Sequence, residues 1–266
     1  FGPICSDLPS YPVSRAVTAS SAVPGAFSSI ILKNYAGTCN YRLPERAVKA
    51  LDVRQVNTRR YQMAKMLSDY QDIEAQPYIH LLDGGISDNL GIRVVINLTY
   101  MEGDIWHKLQ ALDLENTSKL AVITVNAQTA IDTSFSKRDF SIPMIDTLNA
   151  VSSIPLDQYS FETMELLRTN MTHWRESNTA VRCGEATPLK NKKQRDTPGA
   201  PPVCAVQTYL IEVDFDRLLD EPERGHLKQL PTSFFLESTD VDRLKAAARK
   251  ILTDSVEFQS LISDMQ

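Results

Sequence analysis

Cysteine is scarce in this chain: four stand among 266 residues, at Cys5, Cys39, Cys183 and Cys204. No C-x-x-C spacing occurs, so the usual thiolate pattern of a zinc site is missing. Cys5 and Cys39 bracket a block rich in small residues. Cys183 and Cys204 bracket the polar stretch from Gly184 to Val203. Two disulfides would imply an oxidising compartment; four unlinked thiols are the equal alternative. Histidine is just as sparse, with His80, His107, His173 and His226. No apolar run approaches the roughly 18 residues that a membrane-spanning helix needs. Basic residues do not dominate, and the net charge of −5 argues against a nucleic-acid partner. What remains is ordinary for a globular chain: 42% hydrophobic and 23% charged residues, enough for a sizeable core in one large or two small domains.

Against this plain background one stretch stands out, Leu82-Asp83-Gly84-Gly85-Ile86-Ser87-Asp88-Asn89-Leu90-Gly91. The apolar run from Tyr78 to Leu82 reads as a short buried strand. Asp83 then follows at its carboxyl end, the edge where α/β sheets bind ligands. Gly84 and Gly85 permit positive φ, or close approach of another group. Upstream lies a second block, Ala19-Ser20-Ser21-Ala22-Val23-Pro24-Gly25-Ala26-Phe27. Ser20 and Ser21 lack the flanking glycines that expose a nucleophile on a tight turn, so this block reads as a packed, small-residue turn. Pro24 ends any helix near Ala22 or Val23.

Together the two blocks resemble the patatin-like family of serine lipid acyl hydrolases, whose members carry A-S-x-A-[VI]-P-x-x-F and, further on, D-G-G with D-N behind it. The segments from Phe1 to Leu8, from Asn34 to Cys39 and from Leu230 to Phe234 also look like a bacterial branch of that family. The resemblance implies an α/β three-layer patatin-like fold, a sheet with helices on both faces. This chain, 1–266, would supply the carboxyl-terminal part of that single domain. It also implies carboxylic-ester hydrolysis on lipids, of phospholipase A, lysophospholipase or lipase type, by a Ser–Asp dyad at a membrane surface. Asp83 falls on the catalytic aspartate. Gly84, Gly85, Asp88 and Asn89 form the turn that supports it. No cofactor and no metal is implied, and no loop here offers a Ca²⁺ ion enough oxygen ligands. The cell envelope or the exterior of a bacterium is the compartment favoured.

The departure from the family matters equally. Family members place the nucleophile in G-x-S-x-G on a strand-to-helix turn. That motif is absent, as is any glycine-rich oxyanion loop; Gly25-Ala26-Phe27-Ser28 lacks the spacing and the second glycine. Both pieces are expected in an amino-terminal part of the same protein preceding Phe1, which becomes the implied partner. The alternative is a patatin-like module that binds lipid or a partner without hydrolysis. A third reading treats Asp83-Gly84-Gly85 as a structural turn in an unrelated α/β protein.

The rest of the chain sorts by periodicity. Ala47 to Asp72 has helical spacing, with Tyr61, Met66 and Leu67 as anchors. Lys119 to Asn126 is a continuous apolar run, the mark of a parallel strand covered on both faces. Phe161, Met164, Leu167, Met171 and Trp174 recur at steps of three and four and predict a helix with a core-facing stripe. Residues 184–202 read as an exposed loop. Ala205 to Val213 reads as a further strand. Thr239 or Asp240 is the expected cap of a last helix carrying Val241, Leu244, Ala248 and Ile251 on one face. His80 is expected to point away from Asp83, because residues an odd number apart face opposite ways along a strand.

Overall fold

The computed structural model describes residues 1–23, 27–52, 58–102, 105–114, 116–130, 137, 139, 141, 143–185, 206–231, 233 and 235–266. The expected loop at 184–202 falls almost wholly outside them. The chain is of mixed α and β type and divides into two units, Phe1–Lys108 and Leu109–Gln266.

The first unit contains α1 (Val13–Ser20), β1 (Ile30–Lys33), α2 (Glu45–Asp52), α3 (Thr58–Asp69), β2 (Tyr78–Leu81) and α4 (Arg93–Glu102). The short helix α5 (Ile105–Gln110) straddles the division. β1 and β2 form an antiparallel pair in which Ile30 faces Leu81 and Lys33 faces Tyr78. The helical reading of Ala47 to Asp72 resolves into α2 and α3. Of the expected anchors Leu67 packs into the core, but the residues at its centre are small. Ala47, Ala50 and Ala64 are fully buried, with Leu51, Leu67 and Met101 packed around them. Met66 is about half exposed. Small residues serve here because two helix backbones approach closely. Arg59 stacks over the Tyr100 ring and Arg60 Nε donates to the Tyr100 carbonyl, which ties α3 to α4.

Cys5 and Cys39 are joined in a disulfide, with Cα atoms 5.6 Å apart. Of the two readings of these cysteines, the linked one is observed. Cys183 is disulfide-bonded as well; Cys204 lies outside the described residues. The Cys5–Cys39 bridge closes a loop of sequence separation 34. Within the chain-entropy picture that stabilises the unit by roughly 3–4 kcal/mol.

The second unit contains β3 (Lys119–Asn126), α6 (Met144–Glu185), β4 (Gln207–Asp214), α7 (Glu221–Leu227), α8 (Ser238–Asp254) and α9 (Val256–Met265). β3 and β4 pair in parallel from Lys119–Gln207 to Asn126–Asp214. Side chains alternate across a strand, and β4 uses both faces. Tyr209, Ile211 and Val213 are buried on one face. There Leu261 packs against Tyr209 and Ile211, and Ala247 and Ile251 cluster with Val213. Glu212 points the other way and takes Arg168 of α6 in a two-pronged bond, at 3.0 and 2.7 Å. Arg217 adds a third contact at 2.9 Å.

β3 is not covered in this way. Its paired positions share the α8–α9 face, yet Ile123 is 49% and Val125 68% exposed. The continuous apolar run correctly marks a parallel strand, while the expectation of cover on both faces fails for this one. The helices lie over β4 and leave that face of its neighbour open.

α6 is far longer than its apolar stripe. Met164, Leu167, Met171 and Trp174 are buried as expected, but Phe161 is 59% exposed. The amino-terminal half of the helix, which includes Pro155, also exposes Met144, Val151 and Ile154. α8 starts at Ser238 without a side-chain cap, so neither Thr239 nor Asp240 has the expected role. Asp240 instead meets His226 Nε2 at 2.7 Å, linking α7 to α8.

Candidate functional site

β2 ends at Leu81, and Asp83 follows two residues later, held at a strand's carboxyl end as expected. The strand itself is not buried. Tyr78 is 56% and Leu82 45% exposed, because a two-stranded sheet leaves most of β2 without cover. The Asp83 amide donates to the carbonyl of Ala22 at 3.0 Å. Ala22 is 1% exposed and closes the turn after α1, whose last residue is Ser20. The two sequence blocks, distant along the chain, therefore meet through the main chain.

Asp83 caps a single 3-10 turn, Gly84–Ile86, by accepting the Gly85 amide on Oδ1 at 2.7 Å. Among the described residues no hydrogen bond reaches its Oδ2. The side chain is half-buried. Asp88 follows one turn later, its amide donating to the Gly84 carbonyl at 2.7 Å. Its carboxylate accepts the amides of Ile92 at 3.1 Å and Val94 at 3.4 Å, which satisfies free donors where α4 begins. Asn89 is exposed, and among the described residues its side chain makes no hydrogen bond. The D-G-G-x-x-D-N stretch is thus two consecutive caps. The first fixes Asp83 and the second fixes the helix behind it.

The glycines do not act as their positions suggest. Neither Gly84 nor Gly85 has positive φ, and a Cβ at Gly84 would meet nothing within 4 Å. The left-handed residue of the turn is Gly91, with φ +66, which the sequence reading passed over. Its signal was available: a glycine just before a helix, behind an aspartate that caps it.

His80 is hydrogen-bonded to Ser29, with Oγ and Nδ1 3.2 Å apart. The strand stops before Asp83, so the alternation argument does not extend that far. His80 is nevertheless engaged with β1's approach and not with the carboxylate. Ser21 amide bonds back to Val17 and Thr18, an ordinary helix end. Pro24, Gly25 and Ala26 lie outside the described residues. No group of His, Cys, Asp and Glu able to hold a metal ion occurs among the described residues. No helix among them is long and apolar enough to cross a membrane.

Leu82 and Ile86, on either side of the Asp83 turn, are exposed apolar side chains. A half-buried carboxylate with one engaged and one open oxygen can accept a proton from a hydroxyl brought to Oδ2. Comparison with known proteins finds no matching family model, no matching curated protein and no matching solved structure.

Proposed function

We propose that this chain is the aspartate-bearing part of a patatin-like lipid acyl hydrolase with a three-layer α/β fold, in which Asp83 is the base of a Ser–Asp dyad. The observation that carries the reading is the 3.0 Å bond from the Asp83 amide to the Ala22 carbonyl, which joins the D-G-G turn to the A-S-S-A-V-P block. The backbone thus holds the two motifs side by side. The substrate class is a lipid ester, and the exposed Leu82 and Ile86 beside Asp83 favour it.

In this mechanism a serine hydroxyl approaches Oδ2. Asp83 accepts its proton as the alkoxide attacks the ester carbonyl, and returns that proton to the leaving alcohol. Gly85 holds Oδ1, so the carboxylate is oriented before the hydroxyl arrives. Backbone donors must stabilise the developing oxyanion. Neither that serine in G-x-S-x-G nor a glycine-rich donor loop occurs in these 266 residues. A companion part of the same protein supplies both. The open face of β3 at Ile123 and Val125 is where that part packs, since parallel strands are normally covered on their faces. Cys5–Cys39 favours an oxidising compartment, the cell envelope or the exterior.

The test is hydrolysis of a short-chain p-nitrophenyl ester and a phospholipid by the complete protein and by its Asp83→Asn variant. The hydrolase reading requires turnover that the variant loses. A complete protein that binds lipid vesicles but hydrolyses nothing identifies a non-catalytic binding module.

A further inference from the structure

The free edge of β2 carries an unused set of main-chain hydrogen-bonding groups whose direction the register fixes. Asn34 donates its amide to the Pro77 carbonyl at 3.0 Å, so that facing pair is of the hydrogen-bonded kind. Bonded and non-bonded pairs alternate along an antiparallel ladder. Leu32–Ile79 and Ile30–Leu81 are therefore bonded pairs, and Lys33–Tyr78 and Ile31–His80 are not. It follows that the N–H and C=O groups of Tyr78 and His80 point away from β1. The sheet has only these two strands among the described residues, and no backbone partner there meets those groups.

A cleft of about 410 Å³ runs along that side of β2. Tyr78, Ile79 and His80 all line it. It touches these three residues and none of their partners on β1, which places it along the outer edge of β2. Gln62, Lys65 and Met66 of α3 form the opposite wall. Hydrogen bonds from Asn34 tie together the end of the cleft at Tyr70 and Gln76. Asn34, 1% exposed, donates to the carbonyls of Tyr70 at 2.9 Å and Gln76 at 2.8 Å, and accepts the Ala36 amide at 2.9 Å. The charges on the wall cancel, because Lys65 Nζ is paired with Asp69 at 2.6 Å. A neutral cleft lined by the amides of Gln62 and Gln76, beside outward main-chain groups at alternate residues, matches the main chain of an extended, uncharged peptide.

We propose that the cleft between α3 and the outer edge of β2 binds an extended, uncharged peptide segment, which adds to the sheet as a third strand through the main chains of Tyr78 and His80. Recognition of this kind takes affinity from the backbone and selectivity from alternate side chains. It stands independently of hydrolysis at Asp83, since no atom of the proposed dyad takes part.

The experiment follows amide exchange by NMR in the 266-residue chain, with the capped peptide acetyl-Thr-Val-Thr-Val-Thr-amide as the probe. Without peptide, the Tyr78 and His80 amides exchange fast while Ile79 and Leu81 are protected. At a peptide concentration about ten times its dissociation constant, exchange at Tyr78 and His80 slows roughly tenfold. The same peptide with its alternate amides N-methylated has no effect. Gln62→Trp, which fills the cleft and leaves the ladder to β1 intact, abolishes the slowing. The proposal is overturned if the probe leaves both amides unchanged up to its solubility limit, or if the N-methylated peptide slows them equally. It is also overturned if both amides are already protected in the free chain. Protection lost on dilution would assign the edge to a second copy of this chain.

Discussion

The Asp83 amide nitrogen lies 3.0 Å from the carbonyl oxygen of Ala22, and through this bond the turn after β2 is anchored to the turn after α1. The bond uses main-chain atoms, so it survives substitution of the Asp83 side chain. Chemistry and architecture can therefore be separated at this position.

Asp83→Asn in the complete protein should abolish ester hydrolysis and leave folding and vesicle binding nearly unchanged. Asn still offers an oxygen to the Gly85 amide and cannot take a hydroxyl proton. Loss of a general base alone removes roughly 10²–10⁴-fold in rate. Asp88→Ala should act otherwise, by removing the acceptor for Ile92 and Val94 at the start of α4, at about 1 kcal/mol. Kinetics and urea denaturation of both variants check this. Near-normal kcat in Asp83→Asn would remove the catalytic assignment.

At the glycines, Gly91→Ala should destabilise the first unit by roughly 1–2 kcal/mol, the strain of a left-handed residue that acquires a Cβ. Gly84→Ala should be close to neutral for stability, because nothing lies within 4 Å of the new methyl. Denaturation midpoints of the two variants should thus order oppositely to the prominence of the D-G-G motif. Equal losses would mean that the turn tolerates Gly91 replacement.

Replacing the bridge by Cys5→Ser with Cys39→Ser should lower stability by roughly 3–4 kcal/mol, on the loop-entropy estimate for a separation of 34. The loop it closes contains both α1 and Ala22, so order around Asp83 should fall with it. Thermal melts with and without reductant test this. An unchanged midpoint would show that the unit holds the loop without the bond.

The second unit should lose stability at both ends of the pH scale. Burial, together with the bond to Asp264, raises the Tyr209 hydroxyl from 10.0 to about 12. The folded state therefore keeps a proton that the unfolded chain has released. That stabilisation is complete below about pH 10 and declines toward about pH 12, and Tyr209→Phe should flatten the decline. Burial works against ionisation of Glu212, but its bonds to Arg168 and Arg217 prevail and hold it below the usual 4.5. Its contribution is complete above that value and is lost as pH falls through the depressed one. Glu212→Gln should remove this acid sensitivity. Denaturant titrations across pH in the two variants decide it.

The open face of β3 gives a prediction about partners. Val125→Lys should improve the solubility of this chain in isolation and impair assembly with the serine-bearing part, since edge strands with exposed apolar side chains invite pairing. Light scattering of the isolated chain, and activity after mixing with the companion part, measure the two effects. A lysine there that leaves assembly and activity intact would show that the companion does not cover this face. The isolated chain should show no esterase turnover.

Local order determined some elements before any packing was known. The apolar run from Lys119 to Asn126 required a strand, and the run from Val206 to Val213 another, because β-branched residues crowd a helix and suit a pleat. Met164, Leu167, Met171 and Trp174 required a buried helical stripe by their spacing. Asp83 at a strand end and Asp88 one turn later were legible because an acid beside free amides has few other uses.

Other features depended on what lay alongside. The same kind of apolar run is covered in β4 and bare in β3, because α8 and α9 lie over only one of them, and strand composition does not encode a neighbour's position. Met66 and Phe161 carry the spacing of core residues but face outward, while Ala47, Ala50 and Ala64 take the core where helices approach closely. The sequence left Cys5 and Cys39 either linked or free; only folding brought their Cα atoms to 5.6 Å. Ala22 and Asp83 meet for the same reason. Periodicity reports which face of an element is apolar, and the tertiary structure alone decides what that face will meet.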